Sequence, residues 1–190
     1  ELEMLAARRA LAQLAVLPDG IALTINVGPH AVLSPSFPGL LMDVPSRRVI
    51  LELTEHTAVD DYPALVATLR ALRRTGTRMA IDDTGSGYSS LAHILKLAPD
   101  FIKLDRELTS GIDLDPVRRA LATSLVAFAG DTGAQIIAEG VETEGELEAL
   151  RRIGVRYGQG FHLGHPTTIE AIAGVHAGPL KQQRTDRSIR

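Results

Sequence analysis

Cysteine is absent from this 190-residue chain, which excludes both a disulfide framework and a thiolate metal site. No apolar run is long enough to span a bilayer, and the first residues show no signal-peptide pattern. The net charge of -3 argues against binding a nucleic-acid polymer through bulk positive charge, although a local cationic site for a phosphorylated small molecule stays open. We therefore expect a soluble, cytoplasmic protein with no membrane segment in this chain.

The bulk composition is that of a globular domain, because 45% of the residues are hydrophobic and 23% are charged. A chain of this length can bury a sizeable core in one domain. The last stretch is polar and basic with little to bury, so we expect one domain over residues 1–176 and a disordered tail over residues 177–190.

Short apolar runs that end in an acid, an amide or a lysine recur along the chain, and each is followed by a helical pattern. Alternation of this kind predicts parallel strand–helix–strand units. The runs are Ile21 to Asn26, Arg48 to Glu55, Arg78 to Asp83, Asp100 to Asp105 and Gln135 to Glu142.

Two architectures fit such units, an open doubly wound sheet and a closed barrel. An open sheet gathers its functional groups at one switch point, whereas here nearly every strand ends in one, which favours the barrel. We count about seven strands, one or so fewer than a closed β/α barrel needs. The predicted fold is therefore α/β, a modified TIM-type β/α barrel that is incomplete at its N-terminus and begins after its first strand.

Helices are predicted where apolar residues recur at helical spacing. In the first helix, the leucines at positions 2, 5, 11, 14 and 17 are expected on or near one buried face. The predicted helices are Glu1 to Leu17, Asp60 to Arg74, Ser89 to Leu97, Pro116 to Phe128, Glu144 to Ile153 and Thr167 to Gly174.

Two adjacent acids, Asp82 and Asp83, follow one buried run and precede a glycine-containing loop. Both cannot be buried in ionised form without a compensating cation, because desolvation and mutual repulsion oppose it. A metal ion is the usual remedy. The alternative is that Asp83 or Thr84 caps the next helix while Asp82 lies in solvent.

The side chains at the ends of the runs are all oxygen or nitrogen donors. Such hard ligands suit Mg²⁺ or Mn²⁺ and argue against structural zinc, and two such ions can activate water against a phosphodiester. Lys103 would balance the acids and hold the attacking water or a phosphate oxygen, or else form a structural ion pair. The set is Asn26, Glu52, Asp82, Asp83, Lys103, Glu139 and Gln159.

Five motifs in the chain resemble, in order and spacing, those of the EAL-domain family of cyclic di-GMP phosphodiesterases. The resemblance covers nearly the whole chain. The motifs are Leu51-Glu-Leu-Thr-Glu55, Ile81-Asp-Asp-Thr-Gly-Ser-Gly-Tyr-Ser-Ser-Leu91, Ile102-Lys-Leu-Asp105, Ala138-Glu-Gly-Val-Glu-Thr143 and Gln159-Gly-Phe161.

The resemblance implies a modified β/α barrel that hydrolyses cyclic di-GMP to linear pGpG with two Mg²⁺ or Mn²⁺ ions. It implies that Lys103 holds the nucleophilic water, that Gln159 completes the site, and that Glu55 and Glu142 support it. The residues that the resemblance implies as metal ligands are Asn26, Glu52, Asp82, Asp83 and Glu139. It also implies a homodimer through helices beside the Asp82 loop and an upstream sensor or diguanylate-cyclase domain.

Departures from the family pattern leave a second function open. The Glu-x-Leu-x-Arg signature, whose glutamate is a metal ligand in the family, is not in the chain; Glu3-Met-Leu5 with Arg8 imitates it within a helical pattern. Thr84 stands where the family usually has phenylalanine. The alternative is a catalytically impaired module that binds cyclic di-GMP or a protein partner. His162 and His165 could also be a metal pair, but the motif around them explains them as rim residues.

Overall fold

The computed structural model describes residues 2–53, 59, 61–82 and 94–177. Six strands within these residues form one parallel sheet whose spatial order is the order of the chain. The strands are β1 (Leu23–Val27), β2 (Val49–Leu53), β3 (Arg78–Ile81), β4 (Phe101–Leu104), β5 (Gln135–Ala138) and β6 (Tyr157–Gly158).

The strand order decides between the two predicted architectures. A doubly wound sheet reverses direction at a switch point, whereas here every strand pairs with the next one along the chain. Winding in one direction is the topology of a β/α barrel, and six of its strands lie in the described residues, against about seven expected. The predicted fold class is thus confirmed as an incomplete barrel.

Helices connect the strands along the chain. Residues 94–97 are helical too, in agreement with the end of the helix predicted over Ser89 to Leu97, whose earlier part lies outside the described residues. The helices are α1 (Leu2–Ala12), α2 (Pro29–Val32), α3 (Phe37–Leu40), α4 (Tyr62–Arg74), α5 (Arg106–Thr109), α6 (Pro116–Thr132), α7 (Glu144–Arg152) and α8 (Ile169–Ala177).

Side-chain caps begin the helices that pack on the sheet. Asp61 accepts a hydrogen bond from the Ala64 amide at the start of α4, and Asp115 accepts from the amides of Val117 and Arg118 at the start of α6. Each cap satisfies main-chain donors that have no partner inside the helix. The predicted Asp115-Pro116 start of α6 is therefore confirmed.

The core lies mainly between the sheet and its helices. Strands β2 and β4 are buried at every position, as expected for inner strands of a parallel sheet covered on both faces. A smaller apolar cluster of Ile50, Ala80 and Phe101 lies on the opposite face of the strands. That face also carries the polar side chains of the candidate site.

The first helix differs from its prediction. It ends at Ala12 and continues as a 3₁₀ turn, Gln13–Ala15. Leu11 is buried, but Leu2 is 81% exposed and Leu5 is 48% exposed, so the prediction of one continuous leucine face is wrong at its start. Successive residues turn by about 100°, which places Leu2 on the side of the helix opposite Leu11.

No helix in the described part of the chain combines the length and the hydropathy that a bilayer crossing requires. The predicted disordered tail over 177–190 lies, apart from Ala177 at the end of α8, outside the described residues. The last helix, predicted over Thr167 to Gly174, is α8.

Candidate active site

Strands β1, β2 and β3 present polar side chains on one face of the sheet. Asn26 pairs with Glu52 in the register of β1 and β2, and Glu52 pairs with Ala80 in the register of β2 and β3. Asp82 lies two residues after Ala80 and so faces the same way, because side chains alternate along a strand. The Asp82 amide donates to the Leu53 carbonyl at 3.3 Å, which extends the pairing to the site.

Strands β4, β5 and β6 contribute the other half of the site. Lys103 is the third residue of β4. Glu139 directly follows β5, and its amide donates to the Leu104 carbonyl at 3.0 Å. Gln159 directly follows β6, and its amide donates to the Ala138 carbonyl at 2.8 Å. Main-chain hydrogen bonds between neighbouring strands therefore fix where Glu139 and Gln159 leave the sheet.

The Lys103 ammonium is the centre of the site. Its Nζ contacts the Oε1 atom of Glu52, the Oδ1 atom of Asp82 at 2.9 Å and the Oε1 atom of Glu139 at 2.6 Å. The side chains of Lys103 and Glu52 are each only 7% exposed. Three carboxylates from the ends of three strands thus converge on one buried ammonium. The predicted metal ligation by Glu52, Asp82 and Glu139 stays a prediction.

Burial and charge shift the protonation of this cluster. Burial raises the pKa of Glu52 to about 7, against the hydrogen bond and charge of Lys103, while Asp82 adds to the rise. Burial by itself would lower the pKa of Lys103, but the carboxylates of Glu139, Glu52 and Asp82 raise it above its ordinary value. The ammonium is therefore firmly charged, and the three acids hold more negative charge than it neutralises.

The two amide side chains of the predicted set lie beside this cluster. Gln159 donates from Nε2 to the Oε1 atom of Glu139 at 2.5 Å, so it directly restrains the carboxylate that contacts Lys103. Asn26 lies at the register position beside Glu52 and is exposed. An amide side chain that could supply an oxygen ligand to a metal ion therefore lies on each side of the acidic cluster.

The supporting residues predicted from the sequence have different outcomes. Glu142 lies outside the Lys103 cluster, and its carboxylate pairs with Arg106 at 2.8 Å. Asp83 and Glu55 lie outside the described residues, as do Thr84 and the glycine-containing loop, so their predicted roles remain predictions.

Divalent cations fit this donor set in type and charge. The available donors are carboxylate and amide oxygens, which are the ligands that Mg²⁺ and Mn²⁺ prefer, and the cluster has an excess of negative charge. In the ranges that the structure describes, no three histidine, aspartate or glutamate side chains are grouped as a ready metal site. The three acids face the Lys103 ammonium, which takes the position between them.

The two rim histidines do not converge on a common point. His162 contacts Glu144 through Nε2 at 2.8 Å, whereas the His165 ring stacks on Phe161 with centroids 4.8 Å apart. These contacts favour the interpretation as rim residues over a histidine metal pair.

Sequence reasoning missed two residues next to the site, Arg106 and Glu146. Arg106 pairs with Glu142, and buried Glu146 hydrogen-bonds to main-chain amides of the segment that follows Glu139. The Thr143-x-x-Glu146 spacing is a capping-box signature, so Glu146 was visible in the sequence as a helix cap.

Fold and site together define a β/α barrel protein whose acidic site lies at the carboxyl ends of the strands. Residues 1–166 match the EAL domain family. The chain belongs to this family, and the resemblance carried by its five motifs is confirmed.

A curated relative is the bifunctional diguanylate cyclase/cyclic di-GMP phosphodiesterase MucR of Pseudomonas aeruginosa. It is 39% identical to the chain over 124 residues, a region that covers 65% of this chain and 18% of that protein. The curated relatives that the chain matches are much longer than it, since the chain spans between 15% and 33% of their length.

Solved structures show the same fold. The EAL domain of Mycobacterium smegmatis DcpA superposes with a TM-score of 0.81 at 32% identity, over 88% of this chain and 80% of that chain. Klebsiella pneumoniae BlrP1, crystallised as a manganese/cy-diGMP complex, superposes with a TM-score of 0.75 at 35% identity, over 84% of this chain and 43% of that chain. A calcium/cy-diGMP complex of BlrP1 matches equally well.

Proposed function

We propose that this chain is a metal-dependent phosphodiesterase that hydrolyses cyclic di-GMP to linear pGpG in bacterial second-messenger signalling. The observation that carries the proposal is the buried Lys103 ammonium held by Glu52, Asp82 and Glu139 at the strand ends of an EAL barrel. The names of the relatives and the cyclic di-GMP complexes of BlrP1 support the substrate.

The proposed cofactor is a pair of Mg²⁺ or Mn²⁺ ions. When bound, such ions lower the pKa of a coordinated water and neutralise a phosphodiester. The manganese and calcium complexes of BlrP1 support a requirement for divalent cations. The residues that we assign to hold the ions are Asn26, Glu52, Asp82, Asp83 and Glu139.

Lys103 and Gln159 have roles of their own in the proposed mechanism. The charged Lys103 ammonium can donate three hydrogen bonds, and here all three reach the carboxylates of Glu52, Asp82 and Glu139. Its proposed role of holding the attacking water therefore requires one of these three contacts to be released. Gln159 orients the Glu139 carboxylate through its amide. Glu142, which pairs with Arg106, and Glu55 are assigned as supports of the segments that follow the strands.

Substitution of Glu139 tests the proposal. We expect the wild-type chain to produce pGpG with Mg²⁺ or Mn²⁺, and Glu139→Gln to abolish turnover with little change in thermal unfolding. Glu148→Gln, the same change at an exposed position of α7, is the matched control and should leave turnover unchanged. Unchanged turnover in Glu139→Gln would refute the assignment, and large unfolding would show that the acid is structural.

The second candidate is a catalytically impaired module that binds cyclic di-GMP or a protein partner. It is favoured by one observation: the Glu3-Met-Leu5 imitation of the family signature lies inside helix α1 and not on a strand. Calorimetry separates the two candidates, since tight nucleotide binding by a chain that produces no pGpG would support the regulatory function.

The wider setting of the chain is also a proposal. We infer a cytoplasmic homodimer built on helices beside the Asp82 loop, one barrel domain over residues 1–176, and an upstream sensor or diguanylate-cyclase domain, which the name of MucR supports. Light scattering at high concentration tests the dimer, and a monomer there would contradict it.

A further inference from the structure

Glu146 is a buried acid that lies outside the Lys103 cluster. It is 5% exposed, yet it lies in the first turn of α7, a position that usually faces solvent. Its Oε2 atom accepts hydrogen bonds from the amides of Glu142 at 2.8 Å and Thr143 at 3.0 Å. Its Oε1 atom accepts from the Gly111 amide at 2.8 Å, 35 residues away. An ordinary capping box explains only the Thr143 bond.

The two oxygens of the Glu146 carboxylate bind amides from different parts of the barrel. We call residues 139–143, which follow β5, the β5 exit loop, and residues 105–111, which follow β4, the β4 exit segment. Glu146 therefore joins the β5 exit loop to the β4 exit segment. The side chains of Glu142 and Arg106 join them a second time, with an ion pair of 2.8 Å.

The β5 exit loop is in close contact with the β4 exit segment. Gly140 has a φ of +64°, and a Cβ there would lie 2.6 Å from the Cγ atom of Arg106. On the other side, the Val141 amide donates to the Gln159 carbonyl at 3.0 Å, and a Cβ on Gly160 would lie 2.2 Å from Val141 main-chain atoms. A shift of this loop would therefore move Glu139 and Gln159 together.

Lys103 lies on β4, and Glu139 is the first residue of the β5 exit loop. Their contact of 2.6 Å depends on where β4 and β5 end relative to each other. We propose that Glu146 is a positioning residue, which sets the Lys103–Glu139 geometry by holding the β5 exit loop against Gly111. The proposal rests on the proposed function for its catalytic consequence, because a misplacement of about 1 Å at a reacting centre can cost about 100-fold in rate.

The alternative is that Glu146 only caps α7, and two substitutions separate the roles. Glu146→Gln keeps an oxygen for the amides of Glu142 and Thr143 but turns an NH₂ group towards the Gly111 amide, where two donors then meet. Thr143→Ala removes the other half of the capping box, in which the Thr143 hydroxyl oxygen accepts from the Glu146 amide, and leaves the Gly111 bond in place.

The first readout does not need an active enzyme. In the full chain, the side-chain ¹³C resonance of Glu139 and the ¹⁵N resonance of the Lys103 ammonium should shift in Glu146→Gln and stay in place in Thr143→Ala. Equal shifts in both variants, or none in Glu146→Gln, overturn the proposal. If Glu146→Gln does not fold, Glu146→Asp replaces it, because its carboxylate is one methylene too short to join both segments.

The second readout is catalytic. In a wild type that produces pGpG, Glu146→Gln should lower kcat about 10-fold or more with KM changed less than about 2-fold, since a positioning defect acts on the reacting groups. Thr143→Ala should leave both within about 2-fold. Equal kcat in the two variants overturns the proposal. A wild type without turnover, combined with the resonance shifts, would reject the phosphodiesterase function and retain the positioning role.

Discussion

The pKa values of two buried glutamates in this barrel shift in opposite directions. Glu52 and Glu146 are 6% and 5% exposed, and burial by itself raises the pKa of both. Three main-chain amides from Gly111, Glu142 and Thr143 outweigh burial at Glu146 and lower its pKa.

Glu52 has a different kind of partner. It shares one ammonium, that of Lys103, with Asp82 and Glu139, and its pKa rises to about 7. The three amides at Glu146 are directed at that carboxylate alone and stabilise its negative charge. The single Lys103 ammonium is shared by three acids and neutralises only part of their negative charge. Glu146 therefore has the surroundings of a structural acid, whereas Glu52 has those of an acid suited to bind a further cation.

Removal of the shared cation should have the largest effect. Lys103→Met leaves three carboxylates without their common partner, so we expect turnover to be lost and the free energy of unfolding in metal-free buffer to fall by about 3–5 kcal/mol. Urea unfolding and a pGpG assay measure the two effects. Lys96→Met is the matched control: Lys96 is exposed, with its Nζ 3.8 Å from the Tyr62 ring centroid, and should lose at most about 1 kcal/mol. Comparable losses in the two variants would contradict the central role of Lys103.

Neutralising each glutamate in turn tests the comparison itself. Glu146→Gln should lower the free energy of unfolding by about 1–3 kcal/mol, because it leaves the half-buried Gly111 amide without an acceptor. Glu52→Gln should cost less in metal-free buffer, since it removes a charge that burial opposes, yet it should abolish turnover. Chemical unfolding of both variants measures the two losses. A larger loss of stability in Glu52→Gln than in Glu146→Gln would contradict the comparison.

The pH dependence of stability gives a smaller effect with a defined sign. The pKa of Glu146 is lowered in the folded state, so the unfolded chain binds more protons at this residue. The contribution of Glu146 to the free energy of unfolding is therefore present above its unfolded-state pKa, and it is lost as the pH falls through its folded-state pKa. The stability difference between wild type and Glu146→Gln should therefore shrink as the pH is lowered below about 4.3, the ordinary pKa of glutamate. Urea titrations from pH 7 to pH 3 measure it, and a difference that grows in acid would contradict the assigned partners.

Helix caps remote from both glutamates should show the smallest effect. Asp61→Ala removes the acceptor of the Ala64 amide at 2.9 Å and should cost about 1 kcal/mol without changing kcat. Thermal unfolding and turnover are the measurements. A loss of turnover at normal stability would show that the start of α4 is coupled to the site.

Much of this arrangement was predictable from local sequence patterns. Strands β4 and β5 lie within the predicted runs Asp100 to Asp105 and Gln135 to Glu142, and the Asp115-Pro116 start of α6 follows from capping preferences. Leu2 and Leu5 differ from the prediction because the turn of about 100° per residue carries them away from the side of the helix that buries Leu11. The sequence predicts Lys103 as a partner of acids, but it does not distinguish a role in holding water or a phosphate oxygen from a structural ion pair.

What the sequence left hidden depends on strand register and on contacts between distant residues. The convergence of Glu52, Asp82 and Glu139 on one ammonium requires three strands in a particular register. The Glu146–Gly111 hydrogen bond joins residues 35 positions apart, and no local pattern encodes it. Only the local half of the Glu146 interaction, its capping box, was visible in the sequence.

The most direct test of the central claim is anomalous scattering from crystals of this chain grown with Mn²⁺ and cyclic di-GMP. We predict a manganese peak within about 2.0–2.6 Å of carboxylate oxygens of Glu52, Asp82 and Glu139. A map with manganese elsewhere, or with these three carboxylates bound only to Lys103, would contradict the account.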